Sequence, residues 1–304
     1  MKLAAIDIGS NAIRLQIVKV FEENDLVSFK KLEFLRFPLR LGHDVFKKGK
    51  ITKQTIKRFA KLMQTFKLLI ELYEVEAYHA VATSAMREAK NGKAIQQHIH
   101  EKIGLKIDII SGGQEASILN KAIIPYLEDR HDYIHIDVGG GSTELNLFSG
   151  KKIKVSQSFR IGSVRKLSTK AREKTLKNMK EWMKSAQPKK SQHIIGIGTG
   201  GNINKLYKLA QKADDLALSL AELKAIRAYV REFSYEERMS ILKMNPDRAD
   251  VIVPASEIYI QVLQNIKSDY ILVPRVGLKD GLIYELYEQV SQKNLTQIEF
   301  LEGF

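Results

Sequence analysis

Residues 133–149 read YIHIDVGGGSTELNLFS, and residues 4–20 read AAIDIGSNAIRLQIVKV. In register, Ile6-Asp7-Ile8-Gly9 lies over Ile136-Asp137-Val138-Gly139, and Leu15-Gln16-Ile17 lies over Leu145-Asn146-Leu147. Each copy is an apolar strand ending in Asp, a glycine-containing turn, and a second strand. A tight hairpin of this kind presents backbone N–H groups that can cradle a phosphate. The carboxylate at the strand end can hold a cation or position a water. Two copies in one chain imply two similar domains, each lending one phosphate loop to a shared cleft.

The flanking pattern repeats as well. Residues 2–8, 14–21 and 27–37 read as antiparallel strands, 52–73 as a helix with Thr52 as N-cap, 77–82 as a strand and 91–103 as a helix. A strand at 106–110 then runs into SGGQEASILNKA. The second half gives strands at 133–138, 143–148 and 151–161, a helix at 168–186, and a strand at 193–197 running into GTGGNINKL. Helices fill 223–264, and a strand at 270–274 precedes VGLKDGLIYEL. Three hairpin strands followed by alternating helix and strand, given twice, predict an α/β chain with the duplicated actin-like ATPase (ribonuclease H-like) fold, two similar domains around a central cleft. The expected domains are 1–120 and 121–287, with a C-terminal helix at 288–304 packing back on the first.

Composition bounds the function. The chain has 304 residues, enough for two domains with cores of their own, and 44% hydrophobic and 28% charged residues, as in a soluble globular protein. No apolar run reaches the roughly 20 residues of a membrane helix. There is no cysteine, which excludes disulfides, thiolate metal sites and a Cys nucleophile and fits the cytoplasm. The net charge of +14 is uneven: Lys151 to Lys190 holds fourteen Lys or Arg against Glu173 and Glu181. Within it, Leu176, Met179, Trp182 and Met183 fall at helical spacing, with Lys174, Lys177, Lys180 and Lys184 mostly on other faces. That is a solvated basic helix face or a guide for a polyanion. No nucleic-acid-binding signature accompanies the charge.

Four motifs carry chemistry. In DVGGGSTE, Gly139, Gly140 and Gly141 allow positive φ and close backbone approach, Ser142 and Thr143 add hydroxyls, and Asp137 and Glu144 bracket the loop with negative charge. Carboxylates beside a phosphate loop call for a cation, hence Mg²⁺ or Mn²⁺. Its counterpart, Asp7 with Gly9, Ser10 and Asn11, repeats the arrangement. Gly200 and Gly201, in GTGG, open a helix whose N-terminus suits an anion. TSAMREAKNG sets Arg87 and Lys90 just past a strand end, and Arg makes bidentate phosphate contacts. Glu115 in SGGQEA starts a helix, where a carboxylate favours the dipole; it is also the acid near the expected cleft that lies outside a phosphate hairpin, so it can orient or deprotonate a water.

DIGSNAIRL, TSAMREAKNG, IISGGQEA, DVGGGSTEL, GTGGNI and VGLKDGLIYEL occur in this order across nearly the whole chain, and together they resemble the exopolyphosphatase / guanosine pentaphosphate phosphohydrolase family. The resemblance implies stepwise release of terminal phosphate from linear polyphosphate, or of the γ-phosphate of pppGpp, with a divalent metal. It assigns Glu115 as the catalytic acid and Arg87 as the phosphate-contacting Arg, and matches Asp7, Asp137, Ser142 and Glu144 to family positions. The residue before the catalytic acid is Gln114 where the family has an acid. The expected partners are polyphosphate or guanosine penta- and tetraphosphate, with no membrane and no nucleic acid, and a homodimer is an open option. Rival readings are a small-molecule kinase of the same superfold, a non-enzymatic polyphosphate or alarmone sensor, and a nucleic-acid-binding module resting on charge alone.

Overall fold

The two matching stretches fold as two copies of one hairpin. In the computed structural model, which describes residues 1–23, 26–186, 193–211 and 216–295 and the backbone of 298–299, β1 (Lys2–Ile8) pairs antiparallel with β2 (Ile13–Glu23), and β2 with β3 (Leu26–Phe37). The chain continues through α1 (Leu41–Lys48), α2 (Lys53–Leu72), β4 (Ala77–Ala82), α3 (Ser84–Glu88), α4 (Gly92–Ile103), β5 (Asp108–Ile109) and α5 (Gly112–Ile123). The pattern then restarts with β6 (Asp132–Val138), β7 (Thr143–Ser149) and β8 (Lys152–Phe159). There follow α6 (Thr169–Ala186), β9 (Ile194–Thr199), α7 (Gly201–Leu209), β10 (Ala217–Ser219), α8 (Leu220–Glu232), α9 (Tyr235–Ser240), α10 (Pro246–Ala249), α11 (Ile252–Ile266) and β11 (Tyr270–Leu272). Last come α12 (Leu278–Ser291) and β12 (Ile298–Glu299).

Among the described residues the first sheet runs β12-β3-β2-β1-β4-β5 and the second β10-β11-β9-β6-β7-β8. The order β3-β2-β1-β4-β5 therefore recurs as β8-β7-β6-β9-β11, with β4 parallel to β1 and β9 parallel to β6. The duplicated actin-like α/β fold read from the sequence is the fold of this protein. The turns match atom for atom: Gly9 N–H donates to Ala12 O at 3.2 Å, and Gly139 N–H to Ser142 O at 3.0 Å.

The chain forms two compact units, one of residues 1–125 with the chain from Gly277 onward, the other Tyr126–Val276. The breaks fall at 125/126 and 276/277 rather than at 120/121 and 287/288. In the first unit, α2 turns Phe59, Met63, Phe66 and Ile70 inward at helical spacing, and Thr52 caps it by accepting from Thr55 N–H at 3.4 Å. The helix expected at 288–304 is instead α12, which stops at Ser291 before left-handed Gln292 (φ 57°). Beyond it Ile298–Glu299 pairs parallel with β3, while 296–297 and 300–304 lie outside the described residues. Gly281 lets α12 cross α5 closely, since a Cβ there would sit 2.0 Å from Ile118 O. The second unit packs β6, β7 and β9 against α6, α7 and α11 around Ile134, Ile136, Leu145, Ile203 and Leu263. No helix among the described residues is long and apolar enough to cross a membrane.

Candidate active site

In the first unit the sequence motifs converge. Ser111 caps α5, accepting from Gln114 N–H at 3.2 Å, while Gln114 Oε1 accepts from Ser111 N–H at 2.9 Å. This reciprocal capping box commits Gln114 to its own helix end. Glu115, one residue on, points elsewhere: its Oε2 lies 3.5 Å from Arg87 Nη1, and the two side chains are 13% and 28% exposed. Arg87, on α3, is aimed by a second bond, Nη1–H donating to Ile110 O at 2.6 Å. The same short helix touches the first hairpin turn, with Ser10 Oγ and Ser84 Oγ 2.8 Å apart.

That turn is braced from outside by α1, which the sequence reading left unassigned. Gly42 N–H donates to Ser10 O at 2.8 Å and Arg40 N–H to Asn11 O at 3.1 Å. A Cβ at Gly42 would lie 3.0 Å from Ser10 Cβ, so glycine is what permits this support. Asp7, expected to hold a metal, accepts through Oδ2 from Arg14 Nη1 at 2.6 Å, because Arg14 stands directly opposite it in the β1–β2 register. A guanidinium already neutralises this carboxylate.

In the second unit the residue opposite the equivalent Asp137 is Glu144. Two carboxylates thus share one face at the hairpin end. Glu144 is buried and accepts from Ser158 Oγ at 3.0 Å. Asp137 Oδ1 lies where a side chain on Gly200 would be, 2.7 Å from its ideal Cβ, and Gly200 itself has φ +90°. Among the described residues no three or more His, Asp or Glu side chains gather into a metal cage. A pair of hard carboxylates beside a phosphate turn still suits Mg²⁺, which takes one or two carboxylates and fills its shell with water and substrate phosphate.

The triple-glycine turn is held by its carbonyls. Gly139 O accepts from Ser163 N–H (3.0 Å), Gly140 O from Val164 N–H (2.9 Å) and Arg165 N–H (3.0 Å), and Gly141 O from Arg165 Nε–H (2.6 Å). The N–H groups of Gly140 and Gly141 have no partner among the described residues. None of the three glycines has positive φ; the close approach is at neighbouring Gly162, where a Cβ would lie 2.6 Å from Gly140 O. Thr143, expected to contact phosphate, is fully buried and donates to Ile161 O at 2.7 Å. Ser142 is 5% exposed at the turn. At the GTGG turn, Gly201 lies under Arg248, whose Nη2 is 2.5 Å from the ideal Cβ position, and Arg248 also bonds Asn202 Oδ1.

Behind Asp137 lies a buried polar network. Asn146 Nδ2 donates to His135 Nδ1 at 2.9 Å, so His135 Nε2–H donates to Thr199 Oγ1 at 2.8 Å. Burial pushes the His135 pKa down to about 3, so the ring is neutral. Tyr259 OH donates to Thr199 O at 2.8 Å, and its own burial raises its pKa well above normal. On α6, Met179 and Met183 are buried and Leu176 and Trp182 pack partly against the core, while Lys174, Lys177, Lys180 and Lys184 are all exposed.

The family model described as the Ppx/GppA phosphatase family matches residues 19–290. The chain belongs to this family. A bifunctional 3-dehydroquinate synthase/phosphatase from Fusobacterium nucleatum is 29% identical over 95% of this chain and 47% of its own length. A guanosine-5′-triphosphate,3′-diphosphate pyrophosphatase from Vibrio vulnificus is 24% identical over 96% of this chain and 60% of its own. The chain therefore spans about half to three-fifths of these curated relatives. Among solved structures, an exopolyphosphatase from Cytophaga hutchinsonii superposes with TM-score 0.82 at 23% identity, covering 97% of this chain and 99% of that one. The Aquifex aeolicus Ppx/GppA family member superposes with TM-score 0.76 at 25% identity, over 97% and 99%. In this Ppx/GppA chain the sequence reading missed the 162–165 brace, Arg14, α1 and Arg248. Arg14 was visible at the position that holds Glu144 in the second copy; the others contact their turns only through the tertiary fold.

Proposed function

We propose that this Ppx/GppA phosphatase hydrolyses terminal phosphoanhydride bonds, with linear polyphosphate as substrate and orthophosphate as product. The observation that carries the reading is the Glu115–Arg87 pair, a carboxylate at a helix start 3.5 Å from a guanidinium. Glu115 orients a water and takes its proton as the water oxygen attacks the terminal phosphorus. The bridging P–O bond breaks, and its electron pair leaves with the shortened chain. Arg87 offsets charge on the transferred phosphoryl, and the N–H groups of Gly140 and Gly141 cradle phosphate oxygens. Asp137 and Glu144 would hold Mg²⁺ or Mn²⁺, which supplies charge neutralisation to phosphate oxygens. Asp7, paired with Arg14, is left out of the metal set. The lysines of α6 guide a long polyanion toward the protein.

A second reading, pppGpp 5′-phosphohydrolase, is favoured by the names of the Vibrio relatives. Phosphate release from long polyphosphate, short polyphosphate and pppGpp, assayed side by side with Mg²⁺, decides between them. The proposal expects the polyphosphates to turn over faster. Faster release from pppGpp installs the second reading, and no release from any of the three removes both.

A further inference from the structure

The first unit holds a groove of about 1010 Å³ along its short edge strand β5, and Arg87 lines it. Lys90 and Lys93 line it too. The groove's acids already have partners: Asp108 lies 3.2 Å from His79 Nε2, and Glu285 lies 3.6 Å from Lys121 Nζ. The two lysine side chains, both exposed, have no acid or hydrogen-bond partner among the described residues. The groove thus presents two ammonium groups without a direct acid partner beside a guanidinium that itself faces Glu115. No Phe, Tyr or Trp lines it, so a purine would find no broad aromatic face to stack on.

We propose that this groove is an oligophosphate subsite, in which Lys90 and Lys93 hold the phosphates that follow the one attacked. The inference rests on the hydrolase reading of Glu115 and Arg87. Ammonium groups on flexible stems suit it, because a polymer of identical charges offers no single orientation for a rigid fork to match. Each phosphate neutralised also releases counterion, so binding here carries its own salt dependence.

The test uses the full chain carrying Glu115→Gln, expected to slow turnover, with and without Lys90→Gln and Lys93→Gln together. Binding of tripolyphosphate and of orthophosphate is followed by calorimetry at several salt concentrations. The expected result is a tripolyphosphate affinity lower by about tenfold, a log K versus log salt slope shallower by roughly one to two units, and an unchanged orthophosphate affinity. An unchanged tripolyphosphate affinity in a variant of unchanged melting temperature overturns the proposal. So does an equal loss for both ligands, which would make the effect non-local. Failure of the underlying reading looks different: the unmodified chain then releases no phosphate from any polyphosphate, whatever the lysine variants do to binding.

Discussion

Asp7 and Asp137 occupy the same place in two copies of one hairpin, and the residue across the strand decides what each can do. Opposite Asp7 stands Arg14, at 2.6 Å; opposite Asp137 stands Glu144. The first pair sets opposite charges against each other, while the second sets two carboxylates on one face. Next to Asp137, His135 makes a prediction of its own. Its pKa is 6.5 in an unfolded chain and about 3 in the fold, so between those values the unfolded state binds the extra proton. Stability is then complete above about pH 6.5 and falls as pH drops toward 3, by about 1.4 kcal/mol per pH unit. Urea unfolding of the parent and of His135→Gln, measured from about pH 7 to about pH 4.5, should show the parent losing about 2–3 kcal/mol more than the variant. Parallel curves would mean that His135 takes up a proton as easily folded as unfolded.

At the scale of elements, what the sequence made legible was what depends on local pattern. The two hairpins, the α2 stripe with its Thr52 cap, and the SGGQEA helix start need only alternation, helical spacing and capping chemistry. What escaped depends on contacts far along the chain. Helix α1 begins after left-handed Arg40 (φ 58°), a conformation that sequence does not announce. Thr143 looked like a phosphate ligand by its place in the motif, but its hydroxyl serves Ile161, eighteen residues away. The C-terminal helix was placed too late because α12 is buried around most of its circumference, Asp280, Leu282, Ile283, Tyr284, Leu286 and Tyr287 included, so no clean apolar stripe marks its end. Helix α6 did follow its pattern, and the four exposed lysines give it a test. Replacing Lys174, Lys177, Lys180 and Lys184 with Gln should weaken long polyphosphate several-fold more than tripolyphosphate and flatten its salt dependence. Equal loss for both would point to general destabilisation, and no loss would leave α6 a solvated face.

The whole molecule carries a net charge of +14 and belongs to the Ppx/GppA phosphatase family over residues 19–290. Everything rests on Glu115 acting on water rather than only favouring the start of its helix. Gln114 is tied into the capping box, so the neighbouring side chain cannot replace it as a base. Glu115→Gln preserves size and removes the basic oxygen. The direct measurement is turnover, polyphosphate affinity and melting temperature on one preparation of that variant beside the parent. The expected result is a rate lower by about 10²-fold or more, with affinity and melting temperature nearly unchanged. A variant that keeps the parental rate and loses only the roughly 0.3–1 kcal/mol of a helix-terminal charge would contradict it.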